Sequence, residues 1–63
     1  MQVLIIQEAD DQNDVQDVRI IPEGMTPEEA YAIWLKNEAM VCQQSVDQVR
    51  EFHKWMIAEP TVL

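Results

Sequence analysis

Two short apolar runs open the chain. Val3-Leu4-Ile5-Ile6-Gln7 is apolar on both faces, with Val3 and Ile5 on one side and Leu4 and Ile6 on the other. It reads as a strand that needs cover on both faces or a central place in a sheet. From Val15 to Ile21 a second β-like run puts Val18 and Ile20 on one face, while Val15, Arg19 and Ile21 tend to the other. The stretch Ala9 to Asp14 between them is rich in Asp and Asn, the composition of a loop, and Pro22-Glu23-Gly24 ends the second run. The pattern predicts an antiparallel β-hairpin over 1–21 and a turn over 22–26. An isolated two-stranded hairpin is marginal in water, so another element must pack against it.

A helical period comes next. Thr26-Pro27-Glu28-Glu29 is a helix start: Thr26 caps, Pro27 is preorganised for the first helical position, and Glu29 completes a capping box. No Gly or Pro then occurs until Pro60. The spacing predicts one helix over 27–58, about 48 Å long at the usual rise, with a tail over 59–63. Leu35, Ala39, Cys42, Val46, Val49, His53 and Met56 alternate spacings of four and three, a coiled-coil seam. Trp34, Val41, Phe52 and Trp55 widen the apolar face. A competing pattern breaks the helix near Cys42-Gln43-Gln44, with Ser45 and Gln48 as a second capping box, and gives an αα-hairpin. The lack of Gly or Pro at that point favours the single helix.

The expected fold is therefore α+β: one domain over 1–63, a hairpin followed by one long helix (ββα), forming a homodimer through that helix. A helix so long outreaches the hairpin, and an isologous twofold dimer is the commonest way to cover the rest. Size points the same way. Below roughly 70–80 residues one core rarely supplies more than a few kcal/mol. With 63 residues and the single Cys42, the chain cannot close an intrachain disulfide, and it has no Cys/His cluster for a structural zinc. No metal or cofactor is expected.

Charge adds a second theme. Twelve Asp and Glu against four Lys and Arg give a net charge of -8. Eight of the acids fall within residues 1–29, where Arg19 is the only base. Asp10, Asp11, Asp14, Asp17 and Glu23 form a candidate partner-binding face, attracted to a basic protein surface and able to imitate the phosphates of a nucleic acid. The same charge also serves solubility and keeps strand edges apart. Basic residues are too few and scattered for direct nucleic-acid binding.

Little else invites chemistry. His53 stands two residues from Glu51, on a different helical face, and reads as a seam residue. Ser45 has no glycine elbow and no base at helical spacing. Cys42 has neither a helix N-terminus nor adjacent cations to lower its pKa, so it reads as a small buried apolar residue. The Asp10–Asp14 segment fails as a calcium loop, because its sixth and twelfth positions are Val15 and Ile21. Trp34, Phe52 and Trp55, with Tyr31, are core or interface anchors. The expectation is a non-enzymatic interaction protein or, as the rival, a small structural or assembly subunit held by its aromatic helix face.

In size, charge and layout, with the acidic half Glu8–Glu29 and the capped Thr26-Pro27-Glu28-Glu29 helix, the chain resembles the small accessory proteins of temperate lambdoid phage early regions. That resemblance implies action by binding a host protein rather than by catalysis, and it transfers no site residues. The apolar stretch Val3–Ile6 has no Lys or Arg before it and is too short for a signal-peptide core or a membrane span. With a lone thiol, it leads us to expect a cytoplasmic protein without membrane contact, and the phage resemblance implies the cytoplasm of a bacterial host.

Overall fold

The structure, a computed structural model, describes residues 2–59. Five elements occur in order: β1 (Gln2–Glu8), β2 (Asp11–Ile21), α1 (Pro27–Cys42), α2 (Val46–Phe52) and β3 (His53–Ala58). The strands form one antiparallel sheet in the order β2-β1-β3. β1, apolar on both faces, holds the centre. The expected hairpin is present as β1 and β2, but only Ala9 and Asp10 remain as its turn. The polar stretch after them is drawn into β2, with register shifts at Ile6/Gln7 and Gln7/Glu8.

The single helix over 27–58 is not formed, so the continuous seam of the expected helix-mediated dimer does not exist as one helix face. The chain leaves α1 at Gln43, whose φ of 56° and ψ of 44° lie in the left-handed region. Gln44 N–H donates to Ala39 O at 2.9 Å and Gln43 N–H to Met40 O at 3.4 Å, the paired bonds of a Schellman cap. Ser45 then starts α2 through a complete capping box: Gln48 N–H donates to Ser45 Oγ at 3.1 Å, and Ser45 N–H donates to Gln48 Oε1 at 3.3 Å. The competing break is therefore the correct local reading, although an αα-hairpin omits the last element of the sheet.

Residues 53–58 form that strand. Val3 pairs with Ala58, Leu4 with Ile57, Ile6 with Trp55 and Glu8 with His53. A helix carried to Ala58 would leave the second edge of β1 without hydrogen-bond partners. The segment also fits a two-residue period, with Trp55 and Ile57 turned toward the helices and Lys54 and Met56 away from them. The seven residues of the expected seam are thereby divided. Leu35 and Ala39 of α1 and Val49 of α2 enter one core, and Val46 packs against it. His53 and Met56 belong to β3, and Cys42 is exposed rather than buried.

The core lies between the helices and one face of the sheet. Leu4 and Ile6 are 0% exposed and meet Leu35, Ala39, Val49, Tyr31, Trp34 and Ile21. Among the described residues, the other sheet face carries no layer. Of the tail expected over 59–63, all but Glu59 lies outside the described residues.

Gln43 offers a direct test of the break. A left-handed backbone favours glycine, so Gln43→Gly should stabilise the chain by about 0.5–1 kcal/mol in urea unfolding. Were residues 27–58 one helix, the same change would destabilise it by about 1 kcal/mol.

Candidate functional site

The structure divides the acidic residues. Asp10, Asp11 and Asp14 gather with Glu8 at the β1–β2 tip, which Ala9 N–H ties to Phe52 O at 2.8 Å. A hydrogen bond with Asp14, then the charges of Asp14, Asp11 and Asp10 together with slight desolvation, raise the Glu8 carboxyl above its ordinary value of 4.5. Glu23 sits in the turn beyond the far end of β2. Asp17 faces the helix layer, where its Oδ2 accepts from Trp34 Nε1 and Arg19 Nε, each at 2.9 Å, and its Oδ1 accepts from Val18 N–H at 2.8 Å. Burial pushes the Asp17 pKa up, but these hydrogen bonds and the Arg19 charge outweigh it, so the carboxyl lies below 3.8. Three of the five residues of the candidate acidic face thus stand together. Asp17 belongs to the fold and Glu23 to another end of the molecule.

The two shifted carboxyls act oppositely on stability. A raised pKa penalises the charged group in the folded state, so the Glu8 penalty is full at neutral pH and fades as pH falls toward and below 4.5. A lowered pKa does the reverse: the Asp17 contribution is full above 3.8 and is lost as pH falls through its folded value. Glu8→Gln should therefore raise the urea midpoint at pH 7, with the gain shrinking toward pH 4. A gain independent of pH would contradict this account.

His53, Tyr31, Arg50, Lys54 and Trp55 line a shallow hollow beside β3. The His53 Nδ1 lies 2.7 Å from Val49 O. A carbonyl only accepts, so Nδ1 carries the proton. The ring is also held edge-on to Trp34 at 5.1 Å between centroids. The Tyr31 hydroxyl is buried and has no hydrogen-bond partner among the described residues. The exposed Cys42 thiol donates to Glu38 Oε1 at 3.4 Å, and that bond, with slight desolvation and the Glu38 charge, raises its pKa. Among the described residues, no group of three or more His, Cys, Asp or Glu is placed to hold a metal ion.

Exposed apolar surface is the more informative feature. On the sheet face turned from the helices, Val3 pairs with Ile20 and Ala58, and Ile5 with Val18 and Met56. Val18, Ile20 and Met56 are 55%, 67% and 46% exposed. A groove of about 310 Å³ runs between α1 and the edge strand β2 and adjoins that face at Ile20, with Ile33, Val41, Met25, Pro22 and Trp34 also among its walls and Arg19 and Glu38 as charged members. Of the aromatic anchors, Trp34 is buried and forms a groove wall, Trp55 is partly buried against Tyr31 at 5.9 Å between centroids, and Phe52 is exposed. The groove joins residues distant in sequence and left no local signal. The open face was half legible, since Val3 with Ile5 and Val18 with Ile20 already shared faces within their strands.

The class defined by this geometry is a small two-layer α+β domain with one sheet face uncovered. Compared with known protein families, curated proteins and solved structures, the chain matches none. Among the described residues, no helix is long and apolar enough to cross a membrane.

Proposed function

We propose that this chain is a non-enzymatic interaction module that binds another protein through the α1–β2 groove. One observation carries the reading: three of the large apolar side chains exposed among the described residues, Ile20, Ile33 and Val41, line this one groove together. Contiguous exposed apolar surface on a small domain marks a contact site. The groove adds to this an open strand edge, so an extended peptide could pair with β2 while seating apolar side chains against Ile33 and Val41. The acids of the tip favour a partner with a basic surface and speed the encounter. A phosphate-imitating inhibitor is the sharper form of this reading, with Asp10, Asp11 and Asp14 as its charges. The resemblance to phage accessory proteins makes the partner a host protein in a bacterial cytoplasm.

The test is capture of partners from nuclease-treated bacterial lysate, eluted by a salt gradient and identified by mass spectrometry. Val41→Glu should abolish capture with the circular dichroism spectrum unchanged. Neutralising Asp10, Asp11 and Asp14 together should shift elution to lower salt. Capture that survives Val41→Glu would refute the groove. A complex stable at high salt and indifferent to the acids would favour the assembly-subunit reading, which the extent of exposed apolar surface also supports.

A further inference from the structure

We infer that the open face of the sheet is the contact between two copies of this chain, stacked sheet on sheet with the helices outermost. The inference does not rest on the groove, which runs along the outer edge of β2 and shares Ile20 with this face.

The molecule is thin. Its principal extents are 41 × 27 × 15 Å. Its radius of gyration is 12.1 Å, against about 11 Å for a compact domain of this length. The accessible surface is 4798 Å², whereas a compact monomer of 7.3 kDa exposes about 4,200 Å². The excess of about 600 Å² per copy gives about 1,200 Å² over two copies, the lower bound of a stable interface. Stacking a second copy on the open face buries area of this order.

Charge selects the occupant. The chain carries twelve acids, yet the rows formed by Val3, Ile5 and Gln7 with their partners on β2 and β3 contain none. The single charged residue there is Lys54, opposite Gln7 at the end nearest the acidic tip. A basic partner gains nothing from such a face, whereas an apolar surface of equal size does, and a second copy presents one. A twofold axis lying between the sheets and across the strands sets β2 against β2 and β3 against β3 with reversed directions. The acidic tips then lie at opposite ends. Lys54 of each copy meets the end of the other β3 that bears Glu59. Paired sheets of this kind sit about 10 Å apart with their side chains interdigitated. The arrangement also gives β1 cover on its second face, and it supplies the extra burial a chain of this size needs.

Sedimentation equilibrium from about 1 to 100 µM brackets a micromolar constant. The expected result is a species of twice 7.3 kDa for the wild type. Val18→Lys sets like charges against one another near the axis and should weaken association by about 100-fold or more. Met56→Glu, on the other edge strand, should do the same. Both residues are exposed in the single copy, so circular dichroism should not change. Val41→Glu should leave the dimer intact, so failure of the groove and failure of the dimer are read by different variants. Peroxide oxidation of the wild type needs no variant to fold: Met56 should react more slowly as concentration rises, while Met40, 77% exposed on α1, keeps its rate. A wild type that stays monomeric to about 100 µM overturns the inference. So does a dimer broken by Val41→Glu but not by Val18→Lys, or a Met56 rate independent of concentration.

Discussion

Trp34→Ala should leave most of the chain unfolded at 25 °C. Truncating a buried tryptophan costs about 3–5 kcal/mol. A 63-residue domain has roughly 3–9 kcal/mol in total at typical stability per residue. Trp34 also joins the layers. Its ring stacks on Tyr31 at 6.2 Å with an interplanar angle of 5° and takes the edge of His53, while its Nε1–H reaches Asp17 on the edge strand. Trp34→Phe keeps the apolar ring but removes the donor, and should cost about 1–2 kcal/mol while the fold survives. Urea unfolding followed by circular dichroism checks both. A Trp34→Ala variant within about 1 kcal/mol of the wild type would mean that α1 is not anchored to β2 in this way.

Ile6→Ala should be nearly as damaging, at about 2–5 kcal/mol. Ile6 is fully buried on the central strand, flanked by Asp17 and Trp55 in the neighbouring strands. The graded variant Ile6→Val should cost about 0.5–1.5 kcal/mol. Equal, small losses for the two changes would place Ile6 on a yielding surface rather than in a packed core.

These two positions also show why the functional reading rests on surfaces. Two of the side chains able to carry charge or chemistry, Asp17 and His53, are engaged in holding the fold. Asp17 receives Trp34 and Arg19, and the His53 Nδ1–H is given to the backbone of α2. The apolar residues are the ones left over, on the open sheet face and along the outer side of α1. A chain that binds through such surfaces should respond to single charges placed at Val18 or Val41 more strongly than to neutralisation of any one acid. The acids at the tip then govern rate and salt dependence.

Much of this was legible in local sequence. The residue pattern located β1 and β2, and the double-faced apolarity of Val3–Ile6 asked for cover on both faces or a central place in a sheet, of which β1 holds the second. The Thr26–Glu29 capping box located the start of α1. The Ser45–Gln48 box located α2, although the absence of Gly and Pro argued against a break there and a glutamine took the left-handed position instead. Each of these signals acts within a few residues, through a cap, a turn or a side-chain period, so the sequence alone determined them.

The tertiary structure decided the rest. Residues 53–58 fit a helical seam and a strand equally well by pattern, and the unpaired edge of β1 made the choice, because backbone hydrogen bonds to a distant strand were available only once the sheet existed. The same pairing turned Asp17 inward to Trp34, seventeen residues away. It split the acidic residues between the two ends of β2, and it left Val18, Ile20 and Met56 together on an uncovered face. Periodicity reports which side of an element a residue occupies. What that side meets depends on contacts between elements far apart in the chain, and those contacts form only when the whole chain is packed.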